Sequence, residues 1–190
     1  MINHTRKLLC LHIEKCGGTS LDKVMREECN FPRKPYSRIH WTLSQHVEFW
    51  QQKGEDILND YFKFCVVRNP WDRLVSQYFY YGGEHCEKKF QDWVLCKSYY
   101  TNHRYSYFPM VRHTSFKDKL NCMDFIIRQE NFQGDFDILC DKIGISRVAL
   151  PHKNKTNHKP YCEYYDEETK ELIGELYSDD IEVFGYEFGE

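Results

Sequence analysis

Two segments of the sequence pass from an apolar strand through a polar turn into a helix, and this repeated corner limits the fold more than any other feature. The first is Leu11-His-Ile-Glu-Lys-Cys-Gly-Gly-Thr-Ser20; the second is Phe64-Cys-Val-Val-Arg-Asn-Pro-Trp-Asp-Arg-Leu-Val-Ser76. In the first corner, Lys7 to Ile13 contains the run Leu8-Leu-Cys-Leu11, the pattern of a short strand buried on both faces. Gly17 and Gly18 allow a sharp turn and a close backbone approach to a ligand. Thr19 and Ser20 open a helix predicted to run to about Glu28, with Leu21, Val24 and Met25 at helical spacing. The N–H groups and dipole at such a helix start attract an anion. Lys15 adds a full charge and the two hydroxyls add donors. The ordinary reading is a Gly-Gly turn with Thr19 as N-cap and Lys15 solvated, and for this segment alone the two readings stand level.

The second corner begins with Tyr61 to Val67, whose aromatic and β-branched residues fit a central strand. Arg68 stands at its end, and Pro70 suits the first position of a helix predicted to reach Tyr80. Arg68 and Ser76 are eight residues apart, so strand end and second helical turn can converge on one phosphate. The planar guanidinium fork matches phosphate oxygens. The ordinary reading pairs Arg68 with Asp72. Recurrence of the corner favours function: a ligand with two separate anionic groups, held by an α/β domain.

These residues resemble the sulfotransferases that use 3′-phosphoadenosine 5′-phosphosulfate (PAPS), in particular the carbohydrate-type branch with a Lys-x-Gly-Gly-Thr-Ser loop. Val67 to Ser76 is similar to that family's 3′-phosphate motif along its whole length. The similarity continues through Met123-Asp-Phe-Ile-Ile-Arg-Gln-Glu-Asn131, Leu150-Pro-His-Lys-Asn-Lys-Thr156 and Asp180-Ile-Glu-Val-Phe-Gly-Tyr186. Two departures stand in the first loop: Glu14 where the family usually has proline, and Cys16 where threonine is common. A carboxylate beside an anionic ligand is expected to point away from it. The resemblance implies a single domain over residues 1–190, with a mostly parallel central sheet flanked by helices, of the P-loop nucleotide-binding type. It implies that Lys15, Cys16, Gly17, Gly18, Thr19 and Ser20 hold the 5′-phosphosulfate. Arg68 and Ser76 then hold the 3′-phosphate that distinguishes PAPS from ATP. Lys15 is the stabiliser of the leaving phosphate. No metal is expected, because a sulfuryl group carries less charge than a terminal phosphate.

In-line transfer to a hydroxyl needs a base. The candidates are His12, His40, His46, Glu14 and Glu48, and imidazole suits neutral pH. His40 is preferred. It follows the Pro-punctuated stretch Asn30 to Arg38, precedes Trp41-Thr-Leu-Ser at the start of a helix reaching about Gln52, and resembles the family's His-x-Thr segment. The ordinary reading makes it a surface loop or N-cap residue. His46 is the reserve candidate, expected on a solvated helix face.

Composition agrees. A net charge of −3 and the lack of a basic stripe argue against nucleic acid as partner. No stretch approaches the apolar length of a membrane helix, and the N-terminus runs almost directly into the first strand. The expectation is a cytoplasmic microbial enzyme, with a Golgi-lumen catalytic domain lacking its anchor as the alternative. The nine cysteines contain no Cys-x-x-Cys, and an odd count reads as mainly reduced thiols, with room for one unassigned disulfide among Cys86, Cys96, Cys122, Cys140 and Cys162. His85 with Cys86, or His113 with Cys122, has no recognised zinc spacing.

Beyond Gly82-Gly83 the pattern loosens. Phe90 to Leu95 is a short helix, and Ser98 to Phe108 is aromatic and polar together, suited to a sugar hydroxyl acceptor or, more simply, to a loop packed by its tyrosines. His103, Arg104 and Arg112 matter for an anionic acceptor. Met123 to Ile127 reads as a third strand, Phe132 to Ile143 as a helix ending near Gly144, and Glu167 to Tyr177 as the last helix. Ile181 to Phe188 follows as a terminal apolar segment. In the basic loop Pro151 to Pro160, Lys153, Asn154 and Lys155 are weak nucleotide candidates, with solvated lysines the favoured reading. The expected function is sulfuryl transfer from PAPS to a hydroxyl-bearing, carbohydrate acceptor. One alternative is a phosphotransferase, opposed by the lack of a Gly-x-x-x-x-Gly-Lys-Ser/Thr motif. Another is a non-catalytic nucleotide- or glycan-binding domain, opposed by the presence of both Lys15 and His40.

Overall fold

A computed structural model describes residues 1–32, 38–80, 89–97, 107–151 and 159–190. The expectations at Gly82-Gly83, His85, Cys86, His103, Arg104, Lys153, Asn154 and Lys155, and most of the aromatic stretch, lie outside the described residues. The chain divides into two compact units, Met1–Val67 with Met110–Lys153, and Arg68–Pro109 with Asn154–Glu190.

The first unit is built on a sheet of β1 (Ile2–Asn3), β2 (Leu8–Leu11), β3 (Phe62–Val67) and β4 (Phe125–Arg128), in that order. β1 runs antiparallel to β2, while β2, β3 and β4 are parallel. Register runs from Leu8 opposite Phe62 to Leu11 opposite Cys65, and from Phe64 opposite Phe125 to Val67 opposite Arg128. Every residue of β2, and all of β3 after Phe62, is buried, which is why both read as unbroken apolar runs. The same unit holds helices α1 (Gly18–Cys29), α2 (Leu43–Gln51), α3 (Ile57–Asp60), α6 (Met110–Thr114) and α7 (Phe132–Ile143). Its interior contains Leu9, Leu11, Leu21, Met25, Leu43, Phe64, Val67, Ile127, Phe136 and Leu139. Fold class is therefore as expected: mixed α/β, with a mostly parallel sheet flanked by helices.

The second unit is helical: α4 (Pro70–Tyr80), α5 (Phe90–Leu95), α8 (Glu167–Leu176) and α9 (Ser178–Phe184), with a 3₁₀ turn over Tyr161–Tyr164. Its core is aromatic, combining Trp71, Tyr78, Phe90, Trp93, Tyr161 and Tyr177 with Leu74, Val75, Val94 and Ile173. Of the apolar segment Ile181 to Phe188, the first half is helix and the rest is not. α8 stops at Leu176, Tyr177 breaks it, and α9 restarts with Asp179 and Asp180 in its first turn. Tyr107 and Phe108, the described end of the aromatic stretch, serve packing. The Tyr107 carbonyl accepts from Tyr177 Oη at 3.0 Å, and the Phe108 carbonyl accepts from Arg73 Nη1 at 2.9 Å. Among the described residues no helix is long and apolar enough to cross a membrane.

The eight described cysteines are all free thiols. Burial pushes up the thiols of Cys29, Cys65 and Cys140, the last to about 11, so these behave as packing groups rather than nucleophiles.

One buried charge ties two strands together. Lys63 in β3 has a side chain only 7% exposed, and its Nζ meets Asp124 Oδ2 at 2.7 Å, the Leu58 carbonyl at 2.9 Å and the Tyr61 carbonyl at 2.8 Å. Asp124 Oδ2 also accepts the Lys63 backbone N–H at 2.7 Å, just ahead of β4. Removing Asp124 alone strands an ammonium already withdrawn from water. Asp124→Ala is therefore expected to lower stability by about 1.5–3 kcal/mol in urea unfolding. Lys63→Met, which removes the need for a partner, should cost less; equal losses would contradict this account.

Candidate active site

The first corner forms because β2 is driven into the sheet while the residues after it cannot continue as a strand. Lys15 (φ 63°) and Gly17 (φ 84°) both occupy the left-handed region, and α1 starts at Gly18 with Gly17 as its N-cap. No side chain caps this helix; Ser20 N–H turns back to the Gly17 carbonyl at 3.1 Å. Thr19 is thus inside the first turn rather than at the cap, and it is exposed, whereas Ser20 is buried. A non-glycine residue at positive φ costs on the order of 1–3 kcal/mol and tends to mark functional turns. The result is a helix start, with its leading N–H groups and positive dipole end, whose N-cap stands two residues after a lysine.

Both glycines are fixed by contact as well. A Cβ at Gly17 would lie 2.9 Å from Phe132 Cε1, and a Cβ at Gly18 would lie 2.8 Å from the His12 ring. Cys16 turns inward, fully buried, with its Sγ 3.5 Å from the Glu14 carbonyl and 3.6 Å from Met110 Sδ. Its side chain is therefore a packing thiol where threonine is common in the family.

His40 is brought to this same turn. Its Nδ1 lies 3.2 Å from the His12 carbonyl and its Nε2 lies 3.0 Å from Glu14 Oε1. The His12 and His40 rings meet edge to face, with centroids 5.1 Å apart. Glu14 does aim its carboxylate at a specific partner, and that partner is the preferred base. The helix that follows is α2, capped by Thr42, which accepts from Gln45 N–H while the Gln45 side chain accepts from Thr42 N–H. His46, expected on a solvated face, is instead 4% exposed. Leu43, His46 and Val47 form the buried stripe of α2, and the His46 ring packs edge-on against Trp41. Glu48 is exposed.

In the second unit, Asn69 organises the start of α4. Its Oδ1 accepts Trp71 N–H at 3.1 Å, its carbonyl accepts Arg73 N–H at 2.8 Å, and its Nδ2 donates to the Glu187 carbonyl at 2.8 Å. Arg68 meets Asp72 through the Nε–Nη2 edge of its guanidinium, both at 2.8 Å, so the ion pair of the ordinary reading is present. Ser76 is buried on α4. Trp71 Nε1 donates to the Lys170 carbonyl at 3.0 Å and Tyr165 Oη to the Trp71 carbonyl at 2.9 Å, fixing α4 to its neighbours.

A model of the sulfotransferase family matches residues 1–187. The chain belongs to the sulfotransferase family. Its fold is similar to that of a sulfotransferase from Alicyclobacillus acidocaldarius, with a TM-score of 0.52 at 14% identity, covering 96% of both chains. In sequence it is 28% identical over 105 residues to an uncharacterized protein of Archaeoglobus fulgidus, spanning 48% of this chain and 75% of that one. Membership in a sulfotransferase family means that the group being moved is an anionic sulfuryl group.

Three contacts were not legible from spacing: in the first unit, Glu14 with His40 and the His12 carbonyl with His40; in the second, Asn69 as the cap of α4. For Glu14 a signal existed, since it departs from the family pattern at the turn itself.

The two glycines should respond differently to added methyl groups. Gly17→Ala meets both a left-handed backbone and Phe132, and should lower stability by about 1–3 kcal/mol in thermal unfolding. Gly18→Ala meets the His12 ring first, so His12→Ala should relieve it, with a coupling of roughly 0.5–3 kcal/mol in a double-mutant cycle. Additive losses at Gly18 and His12 would contradict the contact.

Proposed function

We propose that this sulfotransferase transfers the sulfuryl group of PAPS to a hydroxyl, on a carbohydrate acceptor, with His40 as general base. The observation that carries the reading is the first corner: an uncapped helix start, two left-handed residues, Lys15 in the turn and His40 held against it. In this reading, the main chain of Cys16 to Ser20, with the Thr19 and Ser20 hydroxyls, holds the 5′-phosphosulfate. Lys15 neutralises the charge that develops on the bridging oxygen. Arg68 and Ser76 hold the 3′-phosphate, and the Asp72 carboxylate keeps the guanidinium oriented until the ligand arrives. PAPS supplies an activated sulfuryl group whose leaving group is a phosphate. His40 takes the acceptor's proton as the acceptor oxygen attacks sulfur in line. Catalysis then rests on positioning and on charge complementarity at the leaving oxygen, as in phosphoryl transfer.

Calorimetry separates the two anion roles. Adenosine 3′,5′-bisphosphate should bind at least about tenfold more tightly than AMP, the order of 1.4 kcal/mol or more expected of a charged bidentate contact. Arg68→Ala should erase the difference. Equal binding of the two nucleotides by the unaltered protein would remove the 3′-phosphate role. For the base, His40→Ala should cut transfer from PAPS by roughly 10²- to 10⁴-fold while leaving bisphosphate affinity unchanged.

A further inference from the structure

We propose that Glu14 is a positioning residue for His40, so that the two take up and return the acceptor's proton as one couple; this rests on the reading of His40 as base. The geometry starts from the two ring nitrogens. A carbonyl oxygen only accepts, so the His12 carbonyl at 3.2 Å requires hydrogen on Nδ1. Nε2 then faces Glu14 Oε1 at 3.0 Å. Two acceptor lone pairs at that distance repel, so one proton occupies the Nε2–Oε1 contact. The Glu14 and His40 side chains are only 14% and 27% exposed, which limits the screening that weakens surface pairs.

The pairing answers a problem raised by the turn. Glu14 adds a negative charge directly ahead of Lys15, where an anion is to bind. A protonated imidazole beside it cancels that charge, leaving Lys15 to act on the ligand. The same turn fixes the ring in space: the His12 carbonyl holds Nδ1, the His12 ring lies edge-on to His40 at 5.1 Å, and that ring in turn fills the space above Gly18. Residues 12, 14 and 18 therefore connect the base to the backbone that receives the phosphosulfate. Among the described residues, Glu14 and His12 are charged or titratable groups against the ring, with Lys15 next in the turn. Arg38, on His40's own segment, stacks over Trp41 and Phe49.

The proton in the Nε2–Oε1 contact cannot be present when His40 acts. The couple first releases it to solvent, and the acceptor hydroxyl then displaces the Glu14 carboxylate from the freed Nε2 and donates to its single lone pair. As the acceptor oxygen forms its bond to sulfur, the bond from sulfur to the bridging oxygen breaks and its electron pair stays on the leaving 5′-phosphate. The hydroxyl proton moves to Nε2, and Glu14 returns to accept from that N–H once the sulfated product has left. The arrangement in the structure is thus the protonated state that follows transfer, and it must be emptied for the next turnover.

The test uses protein labelled with ¹⁵N-histidine, with the His40 signals assigned by their loss in His40→Ala, together with transfer from PAPS to desulfated heparin oligosaccharides across pH. In the unaltered protein both His40 nitrogens should stay protonated above the ordinary histidine range of about 6.5. Glu14→Gln keeps the side-chain shape without the charge. It should lower the His40 titration midpoint by about one pH unit or more. The acidic limb of the rate profile should move the same way, because the base now empties at lower pH. Turnover should fall about 10- to 100-fold, part of what a positioned base supplies, with the KM for PAPS unchanged. An ordinary His40 midpoint in the unaltered protein overturns the couple without any variant. An unmoved midpoint and pH limb in Glu14→Gln, with His40→Ala inactive, overturns the role of Glu14 alone. Full turnover in His40→Ala overturns the base assignment beneath it.

Discussion

The parallel pairing of β2 with β3 is the constraint on which the rest depends. Leu8 to Leu11 lie beside Phe62 to Cys65 with all but Phe62 buried, so the strands hold each other by backbone hydrogen bonds in an apolar interior. Parallel strands end on the same side of a sheet, and ligands of open α/β sheets bind outside those carboxyl ends. Each corner follows one of these ends in the chain: the turn at Lys15 after β2, and Arg68 directly after β3. A register slip would move the exits along the sheet and turn the buried faces of both strands outward.

The turn after β2 carries more than one task within a few residues. Gly17 in the left-handed region sets the direction of α1, while Phe132 and His12 occupy the spaces that side chains at Gly17 and Gly18 would fill. Glu14 and the His12 carbonyl hold His40 from its two nitrogens. The turn and the imidazole are thus tied together by contacts between distant parts of the chain. In the helical unit, Asn69 performs a comparable service for α4 by capping it and reaching the Glu187 carbonyl.

Elements bounded by strong local signals were legible to the residue. α4 begins at Pro70, and α7 runs from Phe132 to Ile143 with Gly144 as its C-cap. Short pieces were not, because their stability comes from what they pack on rather than from their own pattern. β1 is two residues at a sheet edge, α3 and α6 are single turns, and α9 follows α8 after one interrupting residue. His46 shows the limit of residue type as a guide: Leu43, His46 and Val47 have the spacing of a buried stripe, yet an imidazole among them reads as polar. The Glu14–His40 contact joins positions far apart in sequence with no shared periodicity, so only the fold brings them together. The corner motifs themselves, by contrast, were readable because a sharp turn from strand into helix needs particular residues at fixed places, such as Gly17 in the left-handed region and Pro70 at the first position of α4.

The most direct test of the central claim is a crystal structure with adenosine 3′,5′-bisphosphate bound. The account predicts the 5′-phosphate on the N–H groups of Gly17 to Ser20 beside Lys15, with the 3′-phosphate on Arg68 and Ser76. A nucleotide seated elsewhere, or with its 3′-phosphate away from Arg68, would contradict it.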